Sequence, residues 1–267
     1  MNEADLPRAG ALSAMAGWNQ NEQDWRVFLE DGAAMALDDG SGPALAATGA
    51  VLPFGRGLAW ISMILVRPDR RRQGLATAMM RWATGALDAV ACVALDATPD
   101  GRAVYRRLGF RDALEFARWR LPGVPEAGAR VRPLREEDWP ALLALDMEAF
   151  GASRAALLHG FAPRLPQGAW IAEDGSGFAL ARDGLHAPQI GPVVARDPAT
   201  AIALIAAARR AIGAPVLLDL ADAATEVAAA LRLVGGETLR PFTRMTRGAA
   251  LPGRAEQLIA MAGPEFG

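Results

Sequence analysis

Lysine is missing from this 267-residue chain, and cysteine, histidine and tyrosine nearly so: one Cys, two His and one Tyr. All 28 basic residues are therefore arginines, so contacts to phosphate or carboxylate would be fork-like guanidinium contacts. A single cysteine, Cys92, excludes an internal disulfide framework and a cysteine-built metal cage. Its apolar, strand-like surroundings read as those of a buried structural thiol. His159 and His186 have no ligand-spaced partner, so no metal is expected. A net charge of −2 gives no pull toward nucleic acid or an anionic membrane. No uncharged apolar run approaches the ~20 residues of a membrane span. The polar, acidic start (Asn2, Glu3, Asp5) is unlike a secretory signal. A soluble, cytoplasmic protein is the expectation. Paired catalytic carboxylates, nucleophile elbows and dinucleotide fingerprints are absent as well.

Hydrophobic residues make up 52% of the chain, enough for a real core, and the length suits one large or two modest domains. The Pro- and Gly-rich stretch from Leu121 to Gly128 breaks both helix and strand patterns. It suggests a first domain over 1–121, a linker over 122–130 and a second domain over 131–267. In the first half, helices are expected over Ala4–Ala16 and Glu22–Glu30, and strands over Ala44–Pro53 and Leu58–Val66. The apolar stripe Leu75, Met79, Trp82, Ala86 and Leu87 predicts a helix over Gln73–Val90. A strand over Cys92–Ala97, a short helix over Gly101–Leu108 and a strand over Phe116–Leu121 complete it. The second half repeats the order, with strands at Val131–Leu134, Ile190–Ala195 and Val216–Leu220. Its helices are expected at Asp138–Phe150, Ala199–Ile212 and Thr225–Val234. Val66-Arg67-Pro68-Asp69 is similar to Val194-Ala195-Arg196-Asp197, and Val93-Ala94-Leu95-Asp96 to Leu217-Leu218-Asp219. The chain reads as two tandem copies of one mixed-sheet α/β fold.

The copies differ where chemistry would sit. In the first, a strand ending at Val66 leads through Arg70-Arg71-Arg72-Gln73-Gly74-Leu75-Ala76 into a helix. Unpaired N–H groups at a helix start form an anion site, and the helix dipole strengthens it. Gly74 permits close backbone approach, and Arg71 and Arg72 can add charge-assisted contacts to a pyrophosphate. The bland alternative is a solvated basic loop. Further on, Tyr105 is the only tyrosine, and its phenol, with a pKa near ~10, can give a proton to a leaving group. Its bland alternative is a half-buried tyrosine with a surface hydroxyl. In the second copy only Pro198 separates Asp197 from Ala199, and Leu231 stands where the tyrosine would be. That copy lacks both the anion cradle and the acid.

The run Leu65-Val66-Arg67-Pro68-Asp69-Arg70-Arg71-Arg72-Gln73-Gly74-Leu75-Ala76 resembles the cofactor segment of the GCN5-related N-acetyltransferases, Gln/Arg-x-x-Gly-x-Gly/Ala. Arg71, Gly74 and Ala76 fill its fixed places. Tyr105-Arg106-Arg107-Leu108-Gly109-Phe110 is similar to the family's later motif, a tyrosine before Gly-Phe. The resemblance covers Ala4–Leu121 well, and the second half at the level of fold. The layout looks like that of tandem members with an active first copy and a degenerate second one. One departure is that the family's first strand, expected before the first helix, has no counterpart here.

The resemblance implies acetyl-CoA, with CoA as product, bound in a splay between two parallel strands. The backbone of Ile64, Leu65 and Val66 would serve the thioester carbonyl and the pantetheine arm. The segment Arg71, Arg72, Gln73, Gly74, Leu75, Ala76 and Thr77 would hold the pyrophosphate, and Tyr105 would be the general acid. Direct transfer to a small-molecule amine is the leading expectation. Acetylation of a protein or peptide and a non-catalytic acyl-CoA sensor are the alternatives. Trp18 and Asn19, in the loop between the first two helices, are expected to bind the acceptor, with Ser62 and Met63 as further candidates. Asp24 reads as a helix cap with Asn21. No general base can be read. A monomer is expected, since two copies in one chain could mimic a dimer, and the tail Glu256–Phe266 is expected to dock on the first copy.

Overall fold

The computed structural model describes residues 1–38, 40 and 43–267. The first half runs α1 (Leu6–Met15), α2 (Glu22–Glu30), β1 (Ala33–Leu37), β2 (Ala47–Phe54), β3 (Leu58–Val66), α3 (Leu75–Ala86), β4 (Cys92–Ala97), α4 (Pro99–Arg107) and β5 (Arg111–Leu121). The second runs β6 (Val131–Pro133), α5 (Trp139–Phe150), α6 (Ala155–Phe161), β7 (Trp170–Ala172), β8 (Gly177–Arg182), β9 (Gln189–Ala195), α7 (Pro198–Ile212), β10 (Val216–Ala221), α8 (Thr225–Leu233), β11 (Glu237–Gly248) and β12 (Leu258–Ala260).

Local chemistry sets many of these boundaries. Asn21 and Asp24 form a reciprocal capping box at α2, the Asn21 side chain accepting from the N–H groups of Gln23 and Asp24. Asp197 caps α7 through the Thr200 N–H at 2.8 Å, and that helix ends on left-handed Gly213. The helix expected over Gln73–Val90 is shorter, Leu75–Ala86, because Gly74 at φ 81° takes the turn before it.

Twelve strands form one sheet in the order β1-β2-β3-β4-β11-β5-β10-β12-β9-β8-β7-β6. The order shows an exchange between the halves. β11 lies antiparallel against β4, and β5 lies antiparallel against β10. The two exchanged strands meet, with Phe116 opposite Phe242 and their rings stacked 5.1 Å apart. About this point the halves are related by a pseudo-twofold axis. Two equivalent ion pairs clasp the exchange: Arg244 on Asp96 across β11–β4, at 2.9 Å for both bonds, and Arg118 on Asp219 across β5–β10, at 2.8 Å for both. All four side chains are buried.

Alternation along the strands sorts the core. Leu58, Trp60, Cys92, Ala94 and Phe116 face one side, where α1, α2, α5 and α6 share a single cluster drawn from both halves. Ala59, Ile61, Val93 and Leu95 face the other side, under α3. Trp119 and Leu121 pack there under α7 and α8. Cys92 is buried, and burial pushes its thiol up. No strand precedes α1 among the described residues, so β1 forms that edge of the sheet.

Candidate active site

The first copy opens its sheet beside the basic loop. β3 and β4 pair in parallel only from Leu58↔Cys92 to Trp60↔Ala94. Beyond that they part, β3 continuing to Val66 and β4 to Ala97. A bulge sits where they separate: pairing with β2 jumps from Ser62↔Ala50 to Leu65↔Thr48, leaving Met63 and Ile64 without partners in the register. Met63 takes φ 55°, and Thr48 Oγ1 donates to its carbonyl at 2.9 Å. Bulges of this kind re-aim backbone beside active sites.

At the far end of the splay lies the loop. A short helical turn, Pro68–Arg70, is braced by Arg67, which donates to Asp69 at 2.7 Å and to the Ala44 carbonyl at 3.0 Å. The Arg67 guanidinium holds the Asp69 carboxyl below its ordinary range. Arg71, Arg72, Gln73 and Gly74 are exposed, and neither Arg71 nor Arg72 has a carboxylate partner among the described residues. No side chain caps α3, so the N–H groups of Leu75, Ala76 and Thr77 stay free for a ligand. A Cβ placed on Gly74 would meet nothing within 4 Å, so the approach is open.

A cleft occupies the near end, enclosing about 80 Å³ that water-sized groups can reach. Ile64 and Tyr105 line it together, and Trp18 stands among its walls. Leu65 is buried, and Val66 carries β3 on toward the loop. α4, capped by Thr98, carries Tyr105 against the edge of Phe110, with ring centroids 6.3 Å apart. Burial pushes the phenol up to about 12, so it keeps its proton across the neutral range. Its hydroxyl has no hydrogen-bond partner among the described residues.

Asn19 is not in this cleft. Its amide donates to the Ala187 carbonyl at 3.0 Å and accepts from the N–H groups of His186 and Ala187 at 3.0 and 3.1 Å. These bonds tie the second half to the first and hold the Asn19 side chain apart from the residues that line the cleft. Its neighbour Gln20 lines the cleft instead. Asp24 caps α2 and takes Arg164 and Arg182 at 2.8 and 3.1 Å.

The residues missed in the sequence come from far along the chain. Arg240 and Phe242 arrive on β11, and Pro264 and Glu265 on the C-terminal tail. The tail does dock on the first copy: Trp60 donates to the Pro264 carbonyl at 3.1 Å, and Phe266 stacks on Phe28 at 5.4 Å. Glu265 is buried, receives Gln20 Nε2 at 2.7 Å and is gripped by Arg182. Burial pushes its carboxyl up, with Asp24 and Asp219 adding to the shift while Arg182 and Arg118 oppose it. Asp96 also lines the cleft, but Arg244 holds both its oxygens.

The second copy has the same parts in a closed form. β9 and β10 pair in parallel at Leu217↔Gln189 and Leu218↔Ile190. A register shift between Ala179 and Ala181 on β8 leaves a bulge at Gly191-Pro192, equivalent in place to Met63-Ile64. Where β9 and β10 would part, β12 lies between them and pairs with both. A side chain on Gly191 would come within 2.0 Å of the Met261 carbonyl, so glycine is what lets the tail pass.

A bulged strand, a splay and an uncapped helix start describe an acyl-CoA transferase fold, and comparison with known proteins agrees. Residues 10–110 match the acetyltransferase (GNAT) family, and residues 142–260 match a second acetyltransferase (GNAT) domain. The chain therefore belongs to the GCN5-related N-acetyltransferase family, as a member with two such domains in tandem. It is 29% identical over 153 residues to the uncharacterized N-acetyltransferase YitH of Bacillus subtilis (strain 168), an alignment covering 55% of this chain and 54% of the relative. This match thus spans about half the relative's length. A Pyrococcus horikoshii protein superposes with a TM-score of 0.85 at 19% identity, covering 100% of this chain and 94% of that one. A tandem GNAT protein from the clavulanic acid biosynthesis pathway gives 0.60 at 16% identity, covering 92% and 95%. Both likenesses show the fold.

Proposed function

We propose that the chain is an acetyl-CoA-dependent N-acetyltransferase that acts on a small-molecule amine by direct transfer, with a working first copy and a second copy that has lost its cofactor cleft. The observation that carries this reading is the open splay of β3 and β4, with a free helix N-terminus at one end and Tyr105 at the other. Its parts suit the cofactor: donors and exposed arginines for a pyrophosphate, extended backbone for an arm, and a bulge for a thioester carbonyl. When bound, acetyl-CoA supplies the activated acetyl group.

The chain's own groups do the rest. The N–H groups of Leu75–Thr77, with Arg71 and Arg72, would hold the phosphates. The backbone at Ile64–Val66 aligns the arm. Glu265 takes the proton from the acceptor nitrogen as the C–N bond forms, and burial raises its proton affinity, which favours that role. Tyr105 would give its proton to the departing CoA thiolate. Asp96 serves as one half of an ion pair with Arg244.

Walls drawn from both halves, Trp18 and Ile64 from one and Phe242 and Pro264 from the other, make the acceptor end a cleft rather than a flat groove, and this favours a small amine over a protein segment. A cytoplasmic monomer belongs to the same reading. No helix among the described residues is long and apolar enough to cross a membrane. The test is CoA release with a panel of amines, on wild type and Tyr105→Phe. Wild type should turn over, and the variant should lose about 100-fold in kcat while still binding acetyl-CoA. Binding without turnover on any amine, indifferent to Tyr105→Phe, would favour an acyl-CoA sensor.

A further inference from the structure

The acceptor end of the cleft holds polar atoms that nothing in the protein uses. Ser62 is 8% exposed and Gln20 3%, yet Ser62 Oγ and Gln20 Oε1 are buried without hydrogen-bond partners. Gln20 is oriented by the bond from its amide nitrogen to Glu265 at 2.7 Å, which leaves its oxygen as a bare acceptor in the same cleft. Buried polar atoms of this kind are costly unless something satisfies them.

Arg240 is the third unused group. The other arginines buried around the sheet centre are matched: Arg118 by Asp219, Arg244 by Asp96, and Arg182 by Asp24 and Glu265. Arg240 lines the cleft half-buried, with no hydrogen bond or ion pair among the described residues. Its guanidinium rests 4.9 Å from the centre of the Phe242 ring. It also stands directly opposite Arg118 in the β5–β11 register, a like-charged neighbour. The strand exchange makes this group specific to the first copy. About the Phe116–Phe242 axis, Arg244 corresponds to Arg118, and Arg240 to Leu114. A desolvated, unpaired, repelled guanidinium is costly for stability alone.

Acceptors for N–H (Gln20 Oε1 and Glu265) and a waiting guanidinium in one cleft are complementary to a molecule with an amine and an anion. Trp18 and Phe242 offer apolar walls between them. We infer that the acceptor is an amine that also carries a carboxylate, an amino acid or a small amino-acid-like molecule, with Arg240 binding the carboxylate while Gln20 and Glu265 bind the amine. This rests on the transferase reading above. The nitrogen forms the amide bond as the thioester C–S bond breaks, its proton passes to Glu265, and the carboxylate is unchanged.

The experiment compares amino acids with their decarboxylated amines, for instance phenylalanine with phenethylamine and tryptophan with tryptamine, on wild type, Arg240→Gln and Arg240→Lys. Steady-state rates are paired with calorimetric binding of the same compounds to the protein without acetyl-CoA. Wild type should favour at least one amino acid over its amine by about 100-fold in kcat/KM. Arg240→Gln should bring that ratio close to one and abolish amino-acid binding, and Arg240→Lys should restore part of it. Because Arg240 makes no ion pair, the Gln variant should melt no lower than wild type. Turnover of plain amines with a ratio near one in wild type overturns this inference and leaves the transferase reading standing. Selective turnover of phosphorylated amines overturns the carboxylate assignment. No turnover of any amine defeats the transferase reading itself.

Discussion

The two halves of this chain build the same splay and use it in opposite ways. In the first, β3 and β4 part and leave a cleft; in the second, β9 and β10 part and the chain's own β12 fills the gap. The tail that closes one site continues through Pro264 and Glu265 into the wall of the other. One segment thus both fills the second splay and walls the first cleft. A duplicated fold need not keep two activities, because the spare copy can be remade into structure that supports the first.

The exchange of β5 and β11 is the feature whose disruption should cost most. Asp219→Ala leaves Arg118 buried without its carboxylate, and Asp96→Ala does the same to Arg244. Each should lower unfolding stability by about 3–5 kcal/mol, read from urea melts. Similar losses would support two equivalent clasps, whereas a small loss at one of them would break the symmetry.

Glu265→Gln sharpens the comparison from the tail. The amide keeps the shape and the contact with Gln20 but cannot accept the proton. A fall in kcat/KM of about 100- to 1,000-fold is expected. The sign of the pH effect follows from the raised carboxyl. As the proposed base Glu265 would work ionised, so wild-type activity should fall as pH drops through a value above the ordinary glutamate range, ~4.3. Arg182 and Arg118 oppose that shift, and Asp24 and Asp219 extend it. The variant should lose this acid limb. An unchanged profile would move the base elsewhere.

How much of this was legible in the sequence depended on how local each signal was. The loop with Arg71, Gly74 and Ala76, and Tyr105 before Gly109-Phe110, are each continuous in the chain, and the structure sets the loop beyond the end of β3 and Tyr105 beside Ile64 in the cleft. The repeat was visible because Asp96 and Asp219 sit at matching points of matching strands. Their partners were not, because Arg244 lies 148 residues from Asp96, and Arg118 lies 101 from Asp219. Glu265 was hidden for the same reason, 245 residues from Gln20. β1 was missed since Ala33–Leu37 is a short run with no alternation, half-buried at an edge. β8 was missed since Gly177–Arg182 is buried on both faces and small residues (Gly177, Ala179, Ala181) fill one of them. β5 starts at Arg111 rather than Phe116 because its first residues pair with β11 while staying exposed. Asn19 was sought in the pocket because a loop Trp-Asn pair is hard to explain as core; the bonds it makes to the 186–187 backbone involve no local pattern.

The most direct test of the account is the stoichiometry of acetyl-CoA binding, measured by calorimetry on wild type and on the double variant Arg71→Ala, Gly74→Glu. One site per chain, lost in the variant, is the predicted result: a carboxylate at Gly74 would place negative charge at the start of α3, where the phosphates must lie. Two sites per chain, or one site that survives both changes, would contradict it, because the cofactor would then be using the copy that β12 is held to close.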